Sequence, residues 1–161
     1  MALRKASCYS KMKPVPYTRK SKKQKESYIK STPYSKVTKF RMGDLTGHKK
    51  KKYKTILTIK TKEFVQMRDT AIEAARQYLN RFLTEKMGKE FYFELRPYPH
   101  HVIRENKMLT GAGADRMSSG MQRSFGKTTG RAALIKEGSI LFIIGLNGAS
   151  NERAVRKLLN S

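Results

Sequence analysis

Acidic residues are scarce in this sequence. Its 161 residues include 12 Asp+Glu against 36 Lys+Arg, which gives a formal net charge of +24. The single cysteine, Cys8, excludes an internal disulfide and a cysteine-rich zinc site, and is typical of a protein in a reducing compartment. So large an excess of positive charge predicts an anionic partner.

Long hydrophobic runs are also lacking. The longest, residues 140–144, has the length of a strand, whereas a membrane-spanning helix needs about 20 apolar residues. No apolar signal-peptide segment follows the basic N-terminus. We therefore expect neither a membrane span nor a secretory signal, and the 38% hydrophobic content predicts one modest core.

The positive charge is concentrated in the first third of the chain. Residues 1–62 hold 20 Lys+Arg and 2 Asp+Glu, whereas residues 63–161 hold 16 and 10. Proline and tyrosine interrupt the basic runs, which disfavours the amphipathic helix that binds a membrane surface. The pattern favours an extended arm, residues 1–35, that lies along nucleic-acid phosphates. An acidic protein partner, or a solvated linker or import-type tract, stays an alternative.

Residues 36–161 predict a single α+β domain. The periodicity of residues 61–87 predicts a helix that Thr61 caps and Gly88 ends, and Ser150 is expected to cap a closing helix. Glu137-Gly138 predicts a two-residue hairpin turn. Because strands and helices do not alternate one to one, we expect an antiparallel or mixed sheet with two helices packed on it. The predicted strands are residues 36–42, 55–60, 91–96, 102–109, 131–136 and 139–146.

The long predicted helix has an apolar face that we expect to be buried. Its residues recur at intervals of three and four. They are Phe64, Met67, Ala71, Ile72, Ala75, Tyr78, Leu79 and Phe82.

Two glycine-rich stretches resemble nucleotide-binding motifs only in part. Residues 111–116 begin like a dinucleotide fingerprint, but Arg116 stands where the third glycine belongs. Residues 120–128 have five residues between the glycines of a P-loop instead of four, and a predicted strand follows where a P-loop needs a helix. An enzyme that handles phosphates through Gly126-Lys127-Thr128 is therefore an alternative hypothesis only.

Histidine, serine and cysteine do not form a recognisable catalytic or metal-binding pattern. Adjacent residues of a strand point to opposite faces, so His100 and His101 are not expected to share one metal ion, and we expect one to be packed and the other to face RNA. We expect no metal, no cofactor and no catalytic residue.

Residues 109–127 form a long segment without helix or strand periodicity. Glycine frees the backbone there, and Arg116, Arg123 and Lys127 carry positive charge. A loop of this length in a small domain is usually functional or disordered, and its glycines and cations favour a finger that reaches into RNA.

The block from residue 101 to residue 127 resembles a known family. It reads HVIRENKML at 101–109, AGADR at 112–116, GM at 120–121 and FGK at 125–127. The sequence is similar to the large-subunit ribosomal protein called L-sixteen in bacteria and L-ten-e in archaea and eukaryotes. Shorter matches, ALR at 2–4 and AIEAAR at 71–76, favour the archaeal branch.

The resemblance implies a hammerhead-type α+β sandwich that is a structural constituent of the large ribosomal subunit. Such a protein binds rRNA near the A-site tRNA and the peptidyl-transferase centre, helps position A-site and P-site tRNA, contacts neighbouring ribosomal proteins and is not a catalyst. No homo-oligomer is expected. The residues expected to contact rRNA are Arg4, Lys5, Arg19, Lys20, Lys22, Lys23, Lys49, Lys50, Lys51, Lys52, His101, Arg104 and Lys107. The loop residues expected to face tRNA and the catalytic centre are Gly111, Gly113, Asp115, Arg116, Met121, Arg123 and Lys127.

Overall fold

The computed structural model describes residues 5, 16–18, 29, 31–105 and 126–160, the last without its side chain. These residues form seven strands and three helices. The predicted finger and most of the predicted arm lie outside the described residues. The α+β fold class predicted from the sequence is confirmed, with all the described strand pairs antiparallel.

Four strands form the first sheet, in the order β1-β4-β7-β2. They are β1 (Arg41–Gly43), β2 (Thr55–Lys60), β4 (Tyr92–Leu95) and β7 (Ile140–Leu146). All four residues of β4 are buried because β4 lies between two other strands and under the core. Strand β1 ends at Gly43 with φ 82°, where a side chain would clash with the Phe91 carbonyl.

Three strands form the second sheet, in the order β3-β6-β5. They are β3 (Val65–Arg68), β5 (His101–Glu105) and β6 (Lys127–Ile135). Strand β5 is an edge strand, since only β6 pairs with it among the described strands.

Three helices complete the fold: α1 (Leu45–Lys49), α2 (Asp69–Met87) and α3 (Ala149–Asn160). The inner face of α2 and Val155 of α3 join both sheets in one hydrophobic core. Its fully buried side chains include Ile72, Leu83, Phe93, Ile144 and Leu146. The short helix α1 was not predicted.

The prediction that the long helix starts at Thr61 is wrong. Residues 65–68 instead form β3, whose partners are residues 132–135 of β6, and the helix begins at Asp69. Tyr78, predicted to be buried, is 61% exposed, and Phe64 precedes the helix and is exposed. The predicted end is confirmed: Gly88 has φ 62° and its N–H donates to the Thr84 carbonyl.

The predicted strand over 36–42 is mostly wrong. Only Arg41–Gly43 is strand, because the backbone donors before it bond to carboxylates of α2. The Lys36 N–H donates to Asp69 at 3.0 Å, and the Thr38 N–H donates to Glu73 at 3.4 Å. The backbone of Lys36 and Thr38 is therefore bonded to α2 and not to a neighbouring strand.

The hairpin predicted at Glu137-Gly138 is also wrong. A turn is present, with Gly138 at φ 73°, but β6 and β7 belong to different sheets and do not pair. Thr61 holds this crossing, since its N–H donates to the Ser139 carbonyl and its carbonyl accepts from the Gly138 N–H.

The closing helix is confirmed with one difference. It begins at Ala149, so Ser150 lies inside its first turn and is not the residue before it. Val155 is buried, and Leu158 and Leu159 pack against the core.

Candidate nucleic-acid interface

Lys49, Lys50, Lys51 and Lys52, here called the lysine cluster, surround the C-terminal end of α1. All four are exposed. Asp44 begins the helix, where its Oδ1 accepts hydrogen bonds from the Gly47 N–H at 2.8 Å and the Thr46 hydroxyl at 2.7 Å. These bonds lower the pKa of Asp44. The helix therefore stays folded while four ammonium groups at its end face the solvent.

An aromatic contact fixes α1 on the first sheet. The His48 ring stacks on Tyr92 of β4, with the ring centroids 3.7 Å apart and the planes at 2°. The Tyr92 hydroxyl donates a 2.6 Å hydrogen bond to Glu94. Burial, with this hydrogen bond, raises the pKa of Tyr92 to about 12. The lysine cluster is thus carried on a rigid support.

Glu94 lies between two arginines beneath this support. Arg41 approaches its Oε1 at 3.5 Å and Arg96 at 3.4 Å. Burial raises the pKa of Glu94, but the Tyr92 hydroxyl and the two guanidinium charges together bring it below its usual value. Glu94, one of the few carboxylates of this sequence, therefore binds groups of its own chain.

The arm contacts the domain at the edge of β5. The backbone N–H of Tyr17 donates to His101 Nδ1 at 2.9 Å, and the Val102 N–H donates to the Tyr17 carbonyl at 2.9 Å. The Arg104 guanidinium lies 4.4 Å from the centroid of the Tyr17 ring. His101 is buried, and its ring accepts a hydrogen bond from the arm of its own chain.

Residues 31–38 continue this contact along the second sheet and α2. Arg131 of β6 donates to the Pro33 carbonyl at 2.6 Å. Glu73 accepts from the Thr38 hydroxyl and pairs with Arg76 at 2.6 Å. The Arg76 hydrogen bond and charge lower the pKa of Glu73 to about 2. We call the contacts of residues 16–18 and 31–38 with β5, β6 and α2, together with the Glu73–Arg76 pair that binds Thr38, the arm seam.

Paired strands hold the base of the predicted finger. In the register of β5 and β6, Glu105 lies opposite Lys127, so residues 106–126 connect two neighbouring strand ends. Lys127 is exposed at this point. The connection therefore begins at the end of the edge strand β5 and ends at the start of the central strand β6.

The P-loop alternative finds no support at Gly126-Lys127-Thr128. Strand β6 begins at Lys127, whereas a P-loop places a helix N-terminus there to bind phosphate. Within the described residues, no group of three or more His, Cys, Asp or Glu side chains could hold a metal ion. In the part of the chain that the structure describes, no helix is long and apolar enough to cross a membrane.

The sequence-predicted contact residues are described only in part. Lys5, the lysine cluster and Lys127 are exposed, whereas His101 and Arg104 lie in the arm seam. The predicted residues outside the described ranges are Arg4, Arg19, Lys20, Lys22, Lys23, Lys107, Gly111, Gly113, Asp115, Arg116, Met121 and Arg123.

Tyr98 was not predicted to be a functional residue, although it is exposed and lies near Arg96, Arg131 and Lys136. Its hydroxyl accepts from Arg131 at 3.2 Å and its ring stacks on Phe40. The available signal was its position between Pro97 and Pro99, because prolines restrict the backbone and can hold an aromatic side chain outside the core.

Comparisons with known proteins agree with the resemblance seen in the sequence. Residues 13–161 match the family described as Ribosomal protein L16p/L10e. A protein named Large ribosomal subunit protein uL16 from Thermofilum pendens is 38% identical over 159 residues, 98% of this chain and 89% of that protein. The protein of the same name from Methanocella arvoryzae is 43% identical over 155 residues, 96% and 84%. The one from Picrophilus torridus is 38% identical over 161 residues, 99% and 85%.

Proposed function

Since this chain belongs to the ribosomal protein L16p/L10e family, we propose that it binds rRNA in the large ribosomal subunit, beside neighbouring ribosomal proteins, and helps position A-site and P-site tRNA. In this role it works in the ribosome, in the cytoplasm, as a structural constituent and not as an enzyme. The mechanism is electrostatic and steric: cations neutralise closely spaced phosphates, and the domain sets the direction of the finger.

The observation that carries this proposal is the pairing of Glu105 with Lys127. A long connection whose two ends are held by adjacent strands has a fixed origin on the domain, while its length gives it reach. The lysine cluster, on its rigid helix, supplies a separate electrostatic contact that fixes the domain on rRNA.

His101 and Arg104 have a supporting role in this proposal. They bind the arm at β5, the strand that leads into the finger, so arm and finger share one anchor. Lys107 and Arg4, Lys5, Arg19, Lys20, Lys22 and Lys23 of the arm would then contact rRNA phosphates on either side of that anchor.

Sedimentation tests the first part of the proposal. The protein should migrate with large subunits in stoichiometric amount through moderate salt. Free protein that fails to join subunits would contradict it, and phosphate-dependent turnover by that free protein would favour the enzyme alternative.

Shortening residues 111–124 to a brief Gly-Ser turn tests the finger. Because β5 and β6 hold the base, subunits should incorporate the shortened protein but support slow or inaccurate peptide synthesis. A matched variant, Arg116→Gln with Arg123→Gln, keeps the length and removes charge, so it separates reach from electrostatics. Normal translation at full occupancy would show that the finger is dispensable, and lost occupancy would make it an assembly anchor.

A further inference from the structure

A groove lies between the β4–β5 connection and the turn that joins β6 to β7. Its volume is about 380 Å³, within the range of small-ligand sites. The side chains that line it include two cations, an aromatic ring, an imidazole and a hydroxyl: Arg96, Lys136, Tyr98, His100 and Ser139.

Tyr98 is held outside the core by its neighbours. Pro99 is fully buried, whereas Tyr98 is 54% exposed. The Tyr98 ring stacks on Phe40 at a centroid distance of 5.9 Å, and its hydroxyl accepts a hydrogen bond from Arg131. Exposing a large aromatic ring while fixing its orientation is what a stacking platform for a nucleic-acid base requires.

His100 presents a hydrogen-bonding edge beside this ring. Its Nδ1 lies 3.0 Å from the Tyr98 carbonyl oxygen. A carbonyl only accepts, so Nδ1 carries the proton, and Nε2 is the ring nitrogen left to bond another group. An N–H of a base is a suitable donor, since unstacked RNA bases are read on their polar edges.

Two cations line the groove. Arg96 shares Glu94 with Arg41, and Lys136 is exposed at the other side of the groove, next to the exposed Glu137. Phosphates that flank a bound nucleotide would meet these cations.

From this arrangement we infer that the groove binds one unstacked nucleotide of single-stranded RNA, with its base on Tyr98 and its edge against His100. This inference rests on the proposed rRNA binding and names a contact separate from the lysine cluster, the arm and the finger. Duplex RNA does not fit the site, because its bases are stacked on one another and none is available to stack on Tyr98.

Binding of the full chain to two RNA probes tests the inference. The probes are a short oligouridine, whose bases are available for stacking, and an RNA duplex with the same number of phosphates. Tyr98→Leu should weaken oligouridine binding by about fivefold or more and leave duplex binding unchanged, because base–aromatic stacking is lost. The slope of log K against log salt should stay the same, since no phosphate contact is removed.

Three further variants separate the contributions. Tyr98→Phe should bind oligouridine like the unchanged protein, because the ring remains. Lys136→Gln should reduce the salt slope by about one. Tyr78→Leu, at a tyrosine of α2 that is 61% exposed and outside both the groove and the arm, should have no effect. Thermal unfolding of each variant shows whether the fold is retained.

Ultraviolet cross-linking in purified large subunits supplies an independent readout. Tyr98 should cross-link to RNA, and a cross-link to another protein would overturn the inference. Equal losses for both probes in Tyr98→Leu, or the same loss in Tyr98→Phe, would also overturn it. If the unchanged protein neither binds RNA nor joins subunits, the proposed function itself fails, which is a different result.

Discussion

The lysine cluster and the arm seam use positive charge in opposite ways. The four lysines are exposed around the end of α1, and their support is a stacked pair of rings. In the arm seam, by contrast, guanidinium groups turn inward: Arg104 lies over Tyr17, Arg131 bonds Pro33, and Arg76 pairs with Glu73. Net charge therefore does not measure the charge available to RNA.

The choice of residue follows from the chemistry of the two cations. Lysine is a strongly hydrated point charge on a flexible chain, whereas the planar guanidinium of arginine stacks on rings and binds carboxylates with two donors. Arg76 binds both oxygens of Glu73 in this way. In this comparison the lysines are exposed to solvent, whereas the arginines bind groups of their own chain.

Replacing all four residues of the lysine cluster by Gln should have the largest effect. If each lysine contacts one phosphate, rRNA affinity should fall by about a thousandfold near physiological salt, and the salt slope should drop by about 3.6. Stability should change by about 0.5 kcal/mol or less, because the side chains are exposed. Titration with rRNA at several salt concentrations measures both quantities.

A variant with equal charge is the control for that measurement. Lys62, Lys86, Lys89 and Lys157 are exposed and scattered over the surface. Their joint replacement by Gln should reduce affinity much less. Equal losses of affinity in the two variants would show that only total charge matters, and that the lysine cluster is not a specific contact with rRNA.

Arg76→Met tests the inward use of charge. It should destabilise the domain by about 3–4 kcal/mol, because the nearly buried Glu73 carboxylate loses its partner. Arg81→Met is the control, since Arg81 pairs with Glu85 at a position where its side chain is 83% exposed. That change should leave the denaturant midpoint nearly unchanged, because an exposed ion pair contributes little to stability. A similar loss of stability in Arg76→Met and Arg81→Met would show that burial does not make the Arg76–Glu73 pair more important than the exposed Arg81–Glu85 pair.

The same pair predicts a pH dependence of stability. The pKa of Glu73 is about 2 in the fold against 4.5 as its ordinary value. Its contribution is therefore complete above about pH 4.5 and is lost as the pH falls towards 2, a loss of about 2–3 kcal/mol. The pKa values of Asp44 and Glu94 are lowered too, so these groups also contribute to the acid dependence of stability. The difference between the unchanged protein and Glu73→Gln isolates the contribution of Glu73. An unchanged acid profile in that variant would contradict the assignment.

Tyr17→Ala should have the smallest effect. It removes the ring beneath Arg104 but keeps the backbone hydrogen bond to Val102, so docking of the arm should weaken by about 1 kcal/mol. Amide exchange at Val102 reports this docking directly, because its N–H donates to Tyr17. The exposed Tyr34→Ala is the control and should leave that exchange rate unchanged.

The elements that could be predicted from the sequence are those with local signals. The C-terminal end of α2 depends on Gly88, and the position of α3 follows from its apolar spacing. The start of α2 could not be predicted, because the apolar residues before Asp69 suit a strand as well as a helix and pairing with β6 decides between them. The division of the strands into two sheets also depends on such pairing.

In the candidate site, too, only features with a local sequence signal could be predicted. Exposure of the lysine cluster could be expected, since a run of four lysines cannot be buried. The contact between Tyr17 and His101 joins residues 84 positions apart, and no local pattern encodes it. The groove at Tyr98 likewise depends on the β6–β7 turn, which sequence reasoning assigned to a hairpin.

The strand order of the first sheet has a consequence during synthesis on the ribosome. Strand β2 pairs with β7, so residues 55–60 have no sheet partner until residues 140–146 have been made. The basic first third of the nascent chain therefore emerges long before its sheet can close, and folding is delayed until nearly the whole chain is free. Nascent chains that end before residue 140 should be protease-sensitive across β2, and protection there would contradict this order.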